Sequence, residues 1–241
     1  MKDFLFKTIA LLTLALSTTT AHASVELYPM SLTITADDKG LGQIRIISKS
    51  ASVQYIKVSV SRVTAPGTDH ESSVPTSPVN VQDLVASPQR LILPAGGSHV
   101  VRLISQQAPA KETLYRVAIE PVPPLPGEAE ADTPTEVKSD VGLVIVWAAL
   151  VTVEPKQILP QWALNETRDT VVNTGNIRLG VLRAGHCTSP GDQSSCEWQP
   201  VKRIVYAGQR LALPEYHGTA PYFRIEYKTN STKVHNHALE Q

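Results

Sequence analysis

The sequence predicts an all-β protein in two domains, each folded as a sandwich or barrel of short strands. Segments in which apolar and polar residues alternate with a period of two recur along the chain. Turn residues separate these segments at regular intervals, as in β-sandwiches and barrels. Helical segments do not alternate with the strands, so a parallel α/β sheet is not expected. The 241 residues, 42% of them hydrophobic, suffice for one large or two modest domains with their own cores.

The alternation also predicts individual strands. In QYIKVSVS, Ile56, Val58 and Val60 alternate with polar residues, which indicates a strand with one buried face and one solvated face. TLYRVAIEPVPP and YFRIEYKT follow the same pattern. Turn residues within three further segments predict β-hairpins. Their turns are expected at residues 94–97 in RLILPAGGSHVVRLI, 173–176 in DTVVNTGNIRLGVL and 207–208 in RIVYAGQRLAL.

Two proline-containing segments divide the chain. PVPPLPGEAEADTPTEVK, residues 121–138, is rich in Pro and Glu and is expected to be a mobile loop. VEPK, residues 153–156, ends a long apolar run at a proline and is interpreted as a hinge. We therefore expect a first domain at residues 24–154, a second at 155–230, and a disordered polar tail at 231–241.

The N-terminus has the pattern of a secretory signal peptide. Lys2 and Lys7 precede and interrupt the apolar segment FLFKTIALLTLALS, and AHA at residues 21–23 predicts cleavage before Ser24. A retained membrane anchor is the alternative, but the apolar segment is short for a membrane span. The mature chain is therefore expected to be soluble and outside the cytoplasm.

The two cysteines agree with an oxidising compartment. Cys187 and Cys196 lie close together in GHCTSPGDQSSCEW, whose Ser, Pro, Gly and Asp residues are typical of a loop. A disulfide between them is expected. A redox pair or a metal site is less well supported, because the C-x-x-C spacing is missing.

Charge and motifs limit the functional classes. Lys and Arg number 22, as do Asp and Glu, so nothing in the charge favours a nucleic acid or an anionic membrane as partner. The sequence has no G-x-S-x-G, no H-E-x-x-H and no phosphate-binding loop. Gly96-Gly97-Ser98-His99 lies in a predicted turn without an identifiable base, and His235-Asn236-His237 lies in the polar tail. We expect no enzymatic activity, no cofactor and no metal site.

The most apolar segment is SDVGLVIVWAALVTVEPK, in which residues 141–151 carry no hydrogen-bonding side chain except the Trp147 indole. The run is shorter than the ~20 residues of a membrane-spanning helix and rich in β-branched residues, so it is predicted to be a strand. Both of its faces are apolar, whereas a strand with one solvated face alternates. One face can fill the domain's own core. The other needs a cover, which is the second domain, a homodimer partner, or a chain added at an exposed edge.

Several segments together resemble a known family. SPQRLILPAGGSHVVRLISQQAPAKETLYRVAIEPVPP is similar to the first-domain signature of periplasmic pilus-assembly chaperones of the chaperone-usher pathway. YPMS, QIRIISKS, QYIKV, TAPGT, WAAL and NTGNIRLGV resemble, more narrowly, the alternate-chaperone class that serves CFA/I- and CS1-type fimbriae. The similarity covers nearly all of the mature chain. The joint pattern is specific, although no single segment is.

The resemblance implies two immunoglobulin-like β-sandwich domains in an L or boomerang arrangement. It implies a periplasmic chaperone that uses donor-strand complementation to complete the sandwich of a fimbrial subunit, and that delivers the subunit to the outer-membrane usher. The donor strand would lie at about residues 139–153. Its subunit-binding residues would be Val141, Leu143, Ile145 and Trp147. Fimbrial major and minor subunits would be the partners. A secreted immunoglobulin-like adhesin or sugar-binding protein is the alternative function.

The sequence departs from the family at the site that anchors the subunit's terminal carboxylate. The best-known members have two basic residues there, but the matching segments here are Tyr28-Pro29 and Leu150-Val151-Thr152. Arg45 and Arg116 are the first candidates to replace them jointly, because each alternates with the aliphatic or aromatic residues of its strand. Further candidates are Arg102, Arg178 and Lys156.

Overall fold

The computed structural model describes residues 25–125, 144–230 and 234–239, and the regular secondary structure in these ranges is β-strand apart from a single turn of 3-10 helix. The all-β class is therefore confirmed. The predicted signal peptide, Val141 and Leu143, and most of the Pro- and Glu-rich segment lie outside the described residues. In the described ranges there is no helix long and apolar enough to cross a membrane.

The first ten strands form two sheets around one core. They are β1 (Val25–Tyr28), β2 (Ser31–Ile34), β3 (Leu41–Ser48), β4 (Gln54–Thr64), β5 (Ser72–Pro75), β6 (Leu84–Ser87), β7 (Arg90–Leu93), β8 (Ser98–Ser105), β9 (Thr113–Val122) and β10 (Trp147–Val153). One sheet has the order β1-β3-β8-β6. The other has the order β2-β10-β9-β4-β5, with β7 also paired to β4. All pairs are antiparallel except β2 with β10, which is parallel.

The alternation in the sequence determines which side chains enter this core. Ile56 and Val58 of β4 are buried, as are Val117 and Ile119 of β9. Side chains of β3 and β8 meet them from the opposite sheet, and the intervening polar residues point to solvent. The inward phase predicted for β4 and β9 is therefore confirmed.

The remaining seven strands form two further sheets around a second core. They are β11 (Trp162–Leu164), β12 (Thr170–Asn173), β13 (Leu179–Cys187), β14 (Cys196–Val205), β15 (Arg210–Ala212), β16 (Tyr222–Lys228) and β17 (Val234–Leu239). The sheet orders are β11-β12-β15 and β14-β13-β16-β17. Trp162 and Phe223 join the two sheets by an edge-to-face ring contact with centroids 5.9 Å apart.

The three predicted hairpins are wrong in one respect. A turn is present at two of the three, with Gly97 N donating to Pro94 O and Gln209 N donating to Tyr206 O, both at 2.9 Å. In all three segments, however, the two flanking strands belong to different sheets. β7 pairs with β4 whereas β8 pairs with β3 and β6, β12 and β13 lie in separate sheets, and so do β14 and β15. An alternating strand buries one face in either arrangement, so the local pattern does not distinguish a hairpin from a crossing between sheets.

Two predicted loop boundaries also change. The Pro- and Glu-rich segment begins later than expected, because its first two residues extend β9 and lie opposite Ile56 and Tyr55 of β4. The tail predicted to be disordered contains β17, which is antiparallel to β16. Strand pairing at a sheet edge uses main-chain groups, so a polar segment can pair there without an apolar side chain.

The expected disulfide is confirmed. Cys187 and Cys196 are bonded, and they are directly opposite each other as the last residue of β13 and the first of β14. A single turn of 3-10 helix, Gln193–Ser195, lies within the loop that the bond closes. The disulfide therefore ties the edge strand β14 to its neighbour β13 at one end of the pair.

We expect replacement of both cysteines by serine to lower the melting temperature without unfolding the protein at room temperature. A loop of this size stabilises by about 2–3 kcal/mol in the chain-entropy model. Thermal unfolding of the double variant should match that of the wild-type protein under reductant, and reductant should not affect the variant further. Equal melting temperatures for variant and oxidised wild type would contradict a stabilising role.

Candidate functional site

β10 has an open edge beside its first residues. On one side β10 pairs antiparallel with β9 along its whole length, from Trp147 opposite Ile119 to Val153 opposite Thr113. On the other side β2 pairs only with residues 150–153. Among the described strands, none lies along that second edge at residues 147–149. Unpaired main-chain groups at such an edge can accept a strand from another chain.

The path of the chain around Pro29 explains why β2 pairs only with residues 150–153 of β10. β1 lies in the other sheet, so the chain changes sheets between Tyr28 and β2. The last main-chain contact is Leu150 N, which donates to Met30 O at 2.9 Å. Tyr28 and Met30 are 71% and 43% exposed. The corner therefore places two large exposed side chains at the end of the open edge.

Apolar side chains continue along this edge. Val144, Ile145 and Val146 precede β10 and are 58%, 43% and 49% exposed. Three consecutive exposed aliphatic residues beside an open edge are unusual for a soluble domain. Apolar surface and unpaired main chain therefore occur together on the described part of the predicted donor strand.

The structure assigns the faces of β10. Ala149, Val151 and Val153 are buried in the first domain's own core, and Trp147 packs partly against it. This stripe has the spacing of Ile145 and, in the sequence, of Leu143 and Val141. Trp147, one of the predicted subunit-binding residues, therefore lies on the stripe that contributes to the chain's own core.

Arg45 and Arg116, the first two candidates for the anchor, do not lie close together. Arg45 is exposed on β3, and Arg102 is exposed on β8 in the same sheet. Arg116 lies on β9 in the opposite sheet, with its side chain on the outer face. The outer faces of the two sheets of a sandwich point in opposite directions. Arg45 and Arg116 therefore cannot bind one carboxylate together, and the anchor role of each stays a prediction.

Arg116 lies at the margin of the contact between the two sandwiches. Its neighbour across the strands is Leu150 of β10. The next pair along the same outer face, Leu114 and Thr152, is buried, and Arg178 of the second sandwich has Nη1 3.5 Å from Thr152 Oγ1. Arg116 thus lies where this face emerges from the contact, on the β9 side of β10 and across the strand from its open edge.

Arg116 already has an acidic partner. Its Nη2 donates to Glu71 Oε1 at 2.5 Å, and its Nη1 donates to Ser73 Oγ at 2.8 Å. The main-chain N–H of Gly67 and then Arg116 hold the pKa of Glu71 below its ordinary value. The Arg116 side chain remains 40% exposed and can still reach a ligand.

Four polar residues meet at the junction of the two sandwiches. Asn230 Nδ2 donates to Glu112 Oε2 at 2.9 Å and to Glu154 Oε1 at 2.6 Å. Arg178 Nε lies 3.7 Å from Glu112 Oε1. The junction is further closed by Glu112 N, which donates to Asn176 O at 2.8 Å. Glu112 and Glu154 come from the start of β9 and the end of β10, whereas Arg178 and Asn230 come from the second sandwich.

This junction holds two buried carboxyl groups against one guanidinium. The Glu112 side chain is 2% exposed and Glu154 is 6% exposed. Burial raises the pKa of Glu112, and the nearby Glu154 adds to that rise, while Arg178 and Asn230 oppose it. Arg178 was predicted only as a carboxylate anchor, and Glu112 and Asn230 carry no sequence pattern that points to a junction. The only sequence signal was the acidic residue of VEPK at the predicted hinge.

A small cavity lies beside the end of β10. Lys39 and Lys156 line a cavity of about 190 Å³ next to the end of β10, together with Glu154. No group of three or more His, Cys, Asp or Glu residues within the described ranges could hold a metal ion. The edge of β10, the exposed residues before it, and Arg116 are therefore the candidate site.

Comparison with known proteins identifies similar chains. No protein-family model matches this chain. It is 32% identical over 205 residues to a CFA/I fimbrial subunit of Escherichia coli, covering 83% of this chain and 84% of that protein. It is 34% identical over 197 residues to a CS1 fimbrial subunit of Escherichia coli, covering 78% and 79%.

Two solved structures are similar over most of the chain. The crystal structure of the class 5 fimbriae chaperone CfaA aligns with a TM-score of 0.74 at 25% identity, covering 90% of this chain and 99% of CfaA. A chain from a chaperone–tip adhesin complex of CFA/I fimbriae biogenesis aligns with a TM-score of 0.72 at 26% identity, covering 90% and 98%. The similarity therefore extends over both sandwiches.

We expect Glu112 to make the stability of the protein depend on pH. Its pKa is higher in the folded than in the unfolded state, so the folded state binds more protons between the two values and stability falls as pH rises through them. Glu112→Gln, which cannot ionise, should lack this loss. The free energy of unfolding, measured in urea from pH 4 to 8, should therefore favour the variant increasingly as pH rises.

Glu120→Gln is the matched control, because Glu120 lies on the same strand with its side chain 40% exposed. It should not show the same pH-dependent gain. A difference between Glu112→Gln and wild type that stays constant across the pH range would contradict the prediction.

Proposed function

Because the chain belongs to the fimbrial chaperones of the CFA/I and CS1 type, we propose that it stabilises fimbrial subunits by lending them its β10 edge and delivers them to the outer-membrane usher. The open edge at residues 147–149, next to the exposed Val144, Ile145 and Val146, is the observation that carries this proposal. The protein is a chaperone of pilus assembly. Its action is non-enzymatic, since strand addition requires only main-chain and apolar contacts.

The proposed setting is the periplasm. The N-terminal pattern of a signal peptide supports export, and a disulfide supports an oxidising compartment. We divide the mature chain at the end of β10, with a first domain at residues 24–154 and a second at 155–230. The separate hydrophobic cores of the two sandwiches support this division, and β17 then adds residues 234–239 to the second domain.

Strand addition would supply hydrogen bonds and core residues together. A strand of the subunit placed along residues 147–149 would occupy the edge that β2 leaves open, ending near Met30. Three large aliphatic side chains buried in the complex would contribute roughly 4–9 kcal/mol before ordering costs. Fimbrial major and minor subunits are the proposed partners.

We assign the subunit-facing role to the stripe that is continuous with the chaperone's own core. Ala149, Val151 and Val153 fill that core, Trp147 lies at its margin, and Ile145 is exposed beyond it. Leu143 and Val141 have the same spacing in the sequence. The core of the subunit would then continue the chaperone core past Trp147. Both apolar faces of the run need a cover in the complex, but only this stripe would enter a core.

We expect Ile145→Glu to abolish complex formation with a coexpressed subunit while the free chaperone remains folded. Ile145 is exposed in the free protein, so a charge is tolerated there, but it would be buried in the core of the complex at a cost of several kcal/mol. Copurification of the subunit measures binding, and circular dichroism measures the fold. Leu143→Glu should behave in the same way.

Val146→Glu is the matched control, since Val146 is adjacent and similarly exposed but has the opposite spacing. It should retain most of the complex. Loss of the complex with Val146→Glu but not with Ile145→Glu would reverse the assignment of faces, and wild-type binding by both variants would argue against a lent strand.

We further propose Arg116 as the anchor for the C-terminal carboxylate of the subunit. Arg116 lies beside Leu150. From Leu150 onward the edge of β10 is occupied by Met30 and β2, so an added strand would have to stop there. Strand pairing alone tolerates slippage by two residues, and a fixed cation would set the register. The planar guanidinium can donate two hydrogen bonds to one carboxylate, and a hydrogen bond to a charged group contributes about 1.5–3 kcal/mol.

We expect Arg116→Ala to weaken the complex and Arg116→Glu to weaken it more, because glutamate repels the carboxylate. Arg45→Glu is the control, since Arg45 is also exposed on a strand of the first domain but on the opposite sheet. Binding to a coexpressed subunit is compared with the melting temperature of each free chaperone. Full binding by Arg116→Glu would transfer the anchor role to Arg178 or Lys156.

A further inference from the structure

The loop between β4 and β5, residues 65–71, connects Arg116 to the second domain. At one end, Glu71 Oε1 accepts from Arg116, while Glu71 Oε2 accepts from Gly67 N at 2.7 Å. The carboxylate of Glu71 therefore holds the turn of the loop and β9 at the same time. Thr68 N and Thr68 Oγ1 both donate to Ala65 O, at 3.3 and 2.8 Å, which closes the turn on itself.

The tip of this loop touches the second domain. Gln209 Nε2 donates to Pro66 O at 2.9 Å, across 143 positions of sequence. The same Gln209 side chain accepts from Tyr206 N at 3.3 Å, so its amide is oriented from both sides. Gly67 lies against the Tyr206 ring, and a Cβ at Gly67 would be 3.4 Å from that ring. Both Tyr206 and Gln209 belong to the turn between β14 and β15.

The backbone of the loop is in an unusual conformation. Ala65 has φ 48° and Gly67 has φ 73°, both in the left-handed region that residues with a Cβ rarely adopt. A non-glycine residue in this region persists where surrounding contacts hold it. The contacts that hold this loop are the Glu71 carboxylate with Arg116 behind it, and the second domain at the tip.

We propose that residues 65–71 form a clasp that fixes the second domain relative to the first, and that Arg116 is the positioning residue that holds the clasp. The chain of contacts runs from Arg116 through Glu71 and Gly67 to Pro66, and from there to Gln209. It is separate from the buried junction of Glu112, Glu154, Arg178 and Asn230. Two separate contacts between two domains restrict both their distance and their angle, whereas one contact would leave a hinge.

The clasp sets how closely the second domain approaches the outer face of β9 and β10. Leu114 and Thr152 are buried on this face next to Arg116, and Arg178 of the second domain lies beside Thr152. A loosened clasp would let the separation between this face and the second domain vary. The clasp can be tested separately from the carboxylate proposal, because Glu71→Ala removes the contact with the loop and keeps Arg116.

The test measures the distance between the domains in the full chain. Cysteines introduced at Gln43 of β3 and Arg203 of β14, both exposed, carry nitroxide labels, since the native cysteines are bonded to each other. Double electron–electron resonance should give one narrow distance distribution for the otherwise wild-type chain. Glu71→Ala and Arg116→Ala should each lose this narrow distribution, and the double variant should be no broader than either, because the pair acts as one unit.

A variant on the other domain tests the same contact independently. Gln209→Glu keeps the acceptor for Tyr206 N but loses the donor to Pro66 O, and it should broaden the distribution in the same way. Glu120→Ala is the control, because it removes an exposed ion pair with Lys57 on the same face without touching the loop. It should leave the distribution narrow.

The melting temperature separates a positioning role from a purely structural one. It should stay close to that of wild type in all these variants, because single exposed ion pairs contribute little to stability. Narrow, wild-type distributions in both Glu71→Ala and Gln209→Glu would overturn the clasp. That result would leave intact the proposal that Arg116 binds the carboxylate of the subunit. The carboxylate proposal is tested instead by how much coexpressed subunit the Arg116→Glu variant binds.

Discussion

A β-strand can form main-chain hydrogen bonds along two edges, and β10 has a neighbour along the whole of one edge but along only half of the other. Because the chain changes sheets near Pro29, β2 begins only at Ser31 and leaves residues 147–149 without a described neighbour on that edge. The same strand contributes Val151 and Val153 to the core of the first domain. One strand thus supports the fold at its end and is available for addition at its beginning.

The contacts between the domains lie at the end of β10 that β2 covers. Glu154, which follows the strand directly, enters the buried junction with Arg178 and Asn230. Arg116, opposite Leu150, is connected through Glu71 to the loop that touches Gln209. Both of these contacts are therefore adjacent to the strand proposed to bind the subunit. Their polar character is typical of contacts between domains.

The structure shows which residues of the apolar run, residues 141–151, are covered within the chain itself. Two apolar faces indicated a strand that needs a cover on both sides. The structure buries Val151 in the first domain's own core, whereas Leu150 on the other face is half-buried. Thr152, just after the apolar run, is covered beside Arg178 of the second domain. In the described part of the run Val144, Ile145, Val146 and Ala148 are exposed, and the proposed partner is needed to cover these residues.

Alternation and cysteine spacing are local properties, so the sequence predicted the all-β class, the inward phases of β4 and β9 and the disulfide, but it missed β17. Ile56, Val58, Val117 and Ile119 are buried as their pattern predicted. The tertiary structure alone decided which sheet each strand joins, since β7 and β8 would alternate identically in a hairpin or across the sandwich. It also decided that Arg45 and Arg116 point away from each other and that Glu112 meets Asn230 across 118 positions. Such contacts depend on how distant segments pack, and no local pattern of side chains records them.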